Sequence, residues 1–317
     1  MTLTQLSYVI AVDKHKNFGQ AAQECGVTQP TLSMQIQKLE EELNVALFDR
    51  SHQPVQTTKI GKTLIAQARM VMNESQKFLD LAYEDQGKVS GEVSLGIIPT
   101  LAPYLLPIFL KKFSQKHPQL QINIEEIQTH EILARLKNNS LDIAILVTPI
   151  EDEKLVSTPL FYEPFLVYTS EKSPLYGKSK ISQAELSAND MWMLTEGHCF
   201  REQTLAVCKN RKKTSDDQRN IKFESGSLET LRRMVDQENG FTLLPFLAAD
   251  EIGSSKKIKE FSNPIPTREV SLIHSPFFRR DTLKNSLIET IQRNLPKDIA
   301  LTSMKNTQVI DLPIGRG

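Results

Sequence analysis

The sequence predicts an α/β protein with a small helical amino-terminal part, one long helix, and a larger region in which strands and helices alternate. Three observations predict it. Apolar residues recur at helical spacing through residues 1–62, interrupted by a cap and a glycine turn. An apolar stripe at intervals of three and four then continues for roughly seven turns. From Glu92 onward, short apolar runs alternate with amphipathic segments.

A chain of 317 residues exceeds a usual single core and suggests about two or three domains. The opening Met-Thr-Leu-Thr-Gln-Leu lacks a basic stretch followed by an apolar one, and no run approaches the ~18 apolar residues that a membrane span requires. A cytoplasmic location with no membrane partner is therefore expected. There thiols are kept reduced, so the cysteines are catalytic, sensory, metal-binding or inert rather than permanent staples. Charge gives no help to a nucleic-acid reading, because 38 Lys and Arg balance 38 Asp and Glu. Residues 1–62 are balanced as well, so any DNA contact must rest on where cations sit, on N–H groups at helix starts and on using two copies.

Leu6, Val9, Ile10 and Ala11 give a first short helix with one buried face, and Asn17 can cap a second that carries Ala21 and Ala22. Gly26 permits the sharp turn that follows. Thr28 caps a third helix with Pro30 tolerated in its first turn. Leu32, Ile36, Leu39 and Leu43 fall in one sector of that helix and are expected in the core. Opposite them lie Pro30, Thr31, Ser33, Met34, Gln37 and Lys38, with Gln29 projecting from the end, a set suited to base edges. A short helix, a tight turn and a capped helix in series predict a helix-turn-helix rather than an ordinary amphipathic surface helix.

After Leu47-Phe-Asp-Arg50 comes a polar stretch of wing type, where Arg50, His52, Gln53 and Lys59 could follow phosphates. Thr58 then caps the long helix, whose stripe is Ile60, Leu64, Ala68, Val71, Ser75, Phe78 and Ala82. Such a helix on a small domain is most simply a dimerisation helix, with Gly87 to Gly91 as the hinge.

The run from Phe18 to Ser33, with Leu47-Phe-Asp-Arg50, resembles the winged helix-turn-helix of the LysR-type transcriptional regulators. The resemblance implies that Gln29, Pro30, Ser33 and Met34 approach bases and that Arg50 contacts the backbone of double-stranded promoter DNA. The family's wing often carries Arg where this chain has Gln53.

Farther on, Val93 to Ile98, Leu120 to Ile127, Ile143 to Val147, Phe165 to Thr169, Met191 to Leu194, Phe241 to Pro245 and Val270 to His274 read as strands. Pro103 to Lys116, His130 to Lys137, Ser227 to Gln237 and Arg280 to Asn294 read as helices, which predicts mainly parallel sheets. Strands crossing near residues 162 and 268 would join two sub-domains and leave a cleft at the strand ends. This part, through Leu141-Asp-Ile-Ala-Ile145 and Gly240-Phe-Thr-Leu-Leu-Pro245, is similar to the effector domain of the same regulators, which is periplasmic-binding-protein-like. The expected plan is a DNA-binding domain over 1–62 and a linker and dimerisation helix over 58–87. An effector domain follows over 91–296, with sub-domain I at about 91–162 and 268–296 and sub-domain II at about 163–267, and then a tail over 297–317.

Cys25 closes the second helix and reads as a packed thiol. Cys199 and Cys208, nine residues apart, fit neither a C-x-x-C motif nor structural zinc spacing. A disulfide needs Cα atoms within about 7 Å, whereas nine residues of straight helix span ~13 Å and of extended chain ~30 Å. Bonding would therefore demand a bend. Gly197 permits close approach, while His198, Arg201 and a helix starting near Phe200 can favour a thiolate at Cys199, and Glu202 opposes them. These residues alone leave both a redox pair and two inert cysteines open.

The segment Gly197-His-Cys-Phe-Arg-Glu-Gln203, followed by Cys208, resembles the redox segment of the peroxide-sensing members of the LysR family. Ile98-Pro-Thr100, Pro103 to Pro107 and Gln128-Thr-His130 match the same branch. The resemblance implies that Cys199 is the peroxidatic cysteine and Cys208 the resolving one. It implies that Thr100 and Thr129, with the Gly197-His198 backbone, line a pocket for hydrogen peroxide. It further implies an activator working as a dimer of dimers, recruiting RNA polymerase and reset by glutaredoxin or thioredoxin, with no cofactor, no metal and no enzymatic turnover. The charged run Lys209 to Asn220 reads as a loop that tolerates remodelling. Three other readings compete: a LysR-type regulator whose small-molecule effector binds between the sub-domains, a thiol peroxidase, and a constitutive architectural DNA-binding protein.

Overall fold

A computed structural model of the chain describes residues 1–84, 89–150, 152–196, 199–208, 225–302 and 306–310. The chain forms two compact units, Met1–Lys88 and Val89–Gly317.

In the first unit, α1 (Leu3–His15) starts at a capping box between Thr2 and Gln5, and α2 (Phe18–Glu24) is capped by the Asn17 side chain. Gly26 takes φ 65°, the left-handed region that a turn this tight requires. The third helix, α3 (Gln29–Leu43), is capped by Thr28 with Pro30 in its first turn. Strands β1 (Phe48–Asp49) and β2 (Gln56–Thr57) pair antiparallel as a small wing. The long helix α4 (Lys59–Glu84) opens where the Thr58 hydroxyl accepts from Gly61 N at 2.9 Å. A Cβ on Gly61 would stand 2.2 Å from the Leu47 carbonyl oxygen, so only glycine lets α4 approach the chain entering β1.

Leu6, Val9, Val12, Leu32, Ile36, Leu39 and Ile65 build one core here. Two expectations are corrected. Leu43 is 39% exposed, because it ends α3 one turn beyond the reach of this small core. The buried face of α4 centres on Ile65 and Ala68, while Ile60 and Phe78 are exposed. Asp13 ties the unit together, accepting from Lys16 (2.5 Å), Thr57 (2.7 Å) and Arg69 (3.0 Å) and so joining α1, β2 and α4.

The second unit alternates β3 (Gly91–Ile97), α5 (Ala102–Lys116), β4 (Leu120–Glu126), α6 (Thr129–Lys137) and β5 (Ile143–Thr148). It continues through β6 (Val156–Thr169), β7 (Lys180–Ile181), α7 (Cys199–Val207), α8 (Leu228–Gln237), β8 (Phe241–Pro245) and α9 (Phe246–Asp250). It closes with β9 (Ile258–Phe261), β10 (Ile265–His274), α10 (Asp281–Asn294) and β11 (Thr307–Val309). The strands lie in the order β4, β3, β5, β10, β6, β9, β7, with β11 beside β10 and β8 beside β6.

The sheet is mixed, not mainly parallel. β3 runs parallel to β4 and β5, where α5 and α6 supply the long crossovers that parallel neighbours need. β5 and β6 are joined without a helix, and β10 pairs antiparallel with both, as β6 does with β8 and β9. Met191 to Leu194 is not a strand: it makes only single bridges, Met191 to Phe241 and Leu194 to Ser225. Its apolar character reflects burial of Met191, Trp192 and Leu194.

Strands β6 and β10 serve two cores. One gathers Leu105, Phe109, Ile143, Ile145 and Leu287. The other gathers Phe165, Phe200, Val207, Cys208, Leu231 and Phe241 around α7, α8 and β8. Among the described residues, no helix is long and apolar enough to cross a membrane.

Candidate functional site

Cys199 is the first residue of α7, and Cys208 lies one residue past its end. An intact helix separates their Cα atoms by ~13 Å, well outside the range of about 7 Å that a disulfide needs, and both thiols are free. They also belong to different cores. Half-buried Cys199 packs against the core of β3, α5 and β5, while Cys208 is 1% exposed inside the other. Joining the sulfurs must unwind α7 and draw at least one thiol from its seat.

The Cys199 Sγ donates to the Thr129 hydroxyl at 3.0 Å. Thr129, buried, is the first residue of α6, and so the start of one helix meets the start of another. Burial pushes the Cys199 thiol up, the Thr129 hydroxyl and a backbone N–H pull it down, and Glu202 pushes it up again; the net direction is up. Among the described residues the balance therefore favours the thiol over the thiolate, while His198 lies outside them. Arg201 does not reverse it, because its guanidinium donates to the Leu194 carbonyl at 2.8 Å. Two residues along a helix is a turn of about 200°, which aims Arg201 away from Cys199. Burial drives Cys208 to about 12, and its thiol lies 3.7 Å from the Met191 sulfur.

Thr100 follows β3 and is also buried. Its hydroxyl accepts from Arg268 Nη1 and its carbonyl from Nη2, both at 3.2 Å. Arg268 in turn is paired with Glu163 (Nε to Oε2, 2.7 Å), at 1% and 0% side-chain exposure, and the other Glu163 oxygen accepts from Leu247 N at 2.8 Å. The Arg268 guanidinium carbon lies 5.5 Å from the centre of the Phe200 ring, next to Cys199. The structure thus brings Thr129 to Cys199 directly and Thr100 to the same region through Arg268 and Phe200. Sequence reasoning missed Arg268 and Glu163. The available signal was one charge of each sign at the two points, near residues 162 and 268, where strands were expected to cross. Gly197, His198 and Lys209 to Asn220 lie outside the described residues, as do Gly87 and Lys88 of the hinge.

Removing the Thr129 hydroxyl deletes an interaction that favours the thiolate. Thr129→Val is therefore expected to slow Cys199 oxidation severalfold at pH 7 and to move the rise of rate with pH to more alkaline values, as rapid-mixing kinetics across pH will measure.

In the first unit, Gln29, Pro30, Thr31, Met34, Gln37 and Lys38 are exposed along one side of α3, with Ser33 half-buried. Met34 is 49% exposed, which an apolar side chain on a solvated face does not require. A groove of about 560 Å³ is lined by Phe18, Gly19, Gln29, Ser33, Arg50 and Gln53, among others. Arg50 donates to Ser33 (3.1 Å) and Glu40 (2.9 Å) and lies 4.9 Å over the Phe18 ring, so it fastens the wing to α3 as well as facing the groove. Lys59 is exposed at the start of α4. Cys25 caps α2, and burial and Glu24 push its thiol up. Among the described residues, no group of three or more His, Cys, Asp or Glu could hold a metal ion.

Residues 3–62 match the sequence model of the bacterial regulatory helix-turn-helix protein, lysR family, and residues 86–296 match the LysR substrate binding domain. The chain is 37% identical over 278 residues to the hydrogen peroxide-inducible genes activator of Haemophilus influenzae, covering 87% of this chain and 91% of that protein. It is equally similar, at 37%, to the DNA-binding transcriptional dual regulator OxyR of Escherichia coli, covering 87% and 90%. Among solved structures it resembles a full-length variant of OxyR from Pseudomonas aeruginosa, with a TM-score of 0.72, 34% identity and coverage of 93% and 99%.

Proposed function

The chain belongs to the LysR family of bacterial helix-turn-helix regulators, and from that premise we propose that it is a DNA-binding transcription activator switched by hydrogen peroxide through a reversible Cys199–Cys208 disulfide. The observation that carries this is the seating of the two thiols in different cores at opposite ends of one helix. Any bond between them is then a change of shape, which a merely structural cysteine pair would not require.

The chemistry balances as an oxidation by peroxide followed by one condensation. The Cys199 thiolate attacks one peroxide oxygen: an S–O bond forms, the O–O bond breaks, and hydroxide leaves to become water. Cys208 then attacks the sulfenic sulfur, an S–S bond forms, and the S–O bond breaks with loss of a second water, whose proton comes from the Cys208 thiol. Thr100 and Thr129, with the backbone at Gly197 and His198, hold the peroxide. Arg201 supports the site by pinning the start of α7 to Leu194. A dithiol reductant of the glutaredoxin or thioredoxin kind returns two electrons and two protons, as suits a cytoplasmic protein.

Unwinding α7 alters how effector domains over 91–296 pair in a dimer of dimers, and so the spacing of the DNA-binding domains over 1–62 and the recruitment of RNA polymerase. The exposed Phe78 and Leu79 of α4 are what a dimerisation helix leaves for its partner. Gln29, Pro30, Thr31, Ser33, Met34, Gln37 and Lys38 meet base edges, while Arg50 and Lys59 meet the backbone of double-stranded promoter DNA. The attached DNA-binding domain favours a regulator over a peroxidase.

Intact-mass measurement of the reduced protein after peroxide tests the switch. Loss of two hydrogens is expected, with a single added oxygen in Cys208→Ser. An unchanged mass would contradict it.

A further inference from the structure

Residues 306–310 fall outside both family matches, yet they return to the second core. β11 runs parallel to β10, pairing Ile265 with Thr307 and Thr267 with Val309. Ile265 N donates to the Asn306 carbonyl at 2.9 Å, and Ile310 N to that of Thr267 at 2.8 Å. Gln183 Nε2 donates to Gln308 Oε1 at 3.3 Å, fixing the strand from its other side. Ile310 is 4% exposed and sits in the same core as Phe200 and Cys208.

The Ile310 carbonyl accepts from Gln203 Nε2 at 3.3 Å. Gln203 is fully buried in the middle of α7, four residues after Cys199 and five before Cys208. Its Oε1 has no partner among the described residues. A buried acceptor left unpaired costs the packed helix some stability, which opening restores through water.

We propose that the C-terminal strand is a latch on the redox helix, with Ile310 and Gln203 as positioning residues that set the rate of the disulfide step. This rests on the reading that Cys199 and Cys208 bond. Gln203 sits midway between the two sulfurs, so opening α7 through its middle displaces the turn that holds it and breaks the Gln203–Ile310 contact before the bond closes. Attack on peroxide precedes that break, because Cys199 meets Thr129 of α6 in the packed helix. Interactions present when α7 is packed and lost as it opens slow the opening without touching the earlier step. The latch therefore sets how long the sulfenic acid persists before Cys208 displaces its hydroxyl as water.

Rapid mixing of the full-length reduced protein with peroxide separates the two steps, since sulfenic acid formation scales with peroxide concentration and disulfide closure does not. Ile310→Ala is expected to close the disulfide about tenfold faster than the unsubstituted protein while reacting with peroxide at the same rate; Ile310→Val, which keeps the seat filled, should stay near the original rate. In the unsubstituted protein, the amides of Thr307 to Ile310 should exchange with deuterium faster after oxidation than before. Disulfide closure in Ile310→Ala at the original rate, or equal exchange in both redox states, would overturn the latch. Absence of any disulfide in the unsubstituted protein would instead overturn the reading on which it rests.

Discussion

Cys199→Ser is expected to leave the protein folded and DNA-bound but wholly unresponsive to peroxide. Serine keeps the size of the side chain and a hydroxyl that can meet Thr129, so neither the packing of α7 against its core nor the start of α6 is disturbed. What it loses is the sulfur proposed to take an oxygen from peroxide and then to be attacked by Cys208. Mass measurement after peroxide should find no oxygen added at position 199 and no loss of two hydrogens, and reporter transcription should stay at the uninduced level. The Cys208→Ser variant differs in kind, because Cys199 still gains an oxygen but cannot discharge it into a disulfide. If Cys199→Ser retained peroxide-dependent transcription, the sensor would lie elsewhere in the chain.

Arg268→Met is expected to destabilise the second unit by about 3–5 kcal/mol, because it leaves Glu163 buried at 0% exposure with no opposing charge. Coulombic attraction between these two groups only offsets their desolvation while both are present. The same substitution frees the Thr100 hydroxyl and carbonyl, which Arg268 holds from Nη1 and Nη2. A lower denaturation midpoint should therefore accompany slower sulfenic acid formation. Replacing Glu163 and Arg268 together by apolar residues of similar volume should recover much of the stability but not the orientation of Thr100. Chemical denaturation read beside peroxide kinetics separates these effects. Near-unchanged stability in Arg268→Met would mean that the pair does not brace the strands β6 and β10.

The parts of this molecule that are written locally could be read from the sequence. Asn17, Thr28 and Thr58 cap helices because a short side-chain oxygen reaches the free N–H groups of the next turn, and each does so here. The separation of Cys199 and Cys208 likewise stated a geometric demand in advance. What escaped was set by contacts distant in sequence. The direction of a strand depends on how its connections cross, so β6 and β10 run antiparallel although their apolar runs look like those of β3 and β5. The first half of β6 went unread because Pro159 and Pro164 interrupt its pattern. Arg268 and Glu163 stand 105 positions apart, so nothing local in the chain marks them as a pair. The raised Cys199 thiol follows from burial between elements, which His198 and Arg201 as neighbours in sequence could not reveal. β11, three residues long, has no periodicity to find.

The central claim is that chemistry at one sulfur unwinds α7 and changes the grip on DNA. A footprint of reduced and peroxide-treated protein on one promoter fragment, beside Cys199→Ser and Cys208→Ser, tests it most directly. The unsubstituted protein should shift its protected bases on oxidation, and both variants should keep the reduced pattern after peroxide. Identical footprints for all samples, with mass measurement confirming that the Cys199–Cys208 bond had formed, would contradict it.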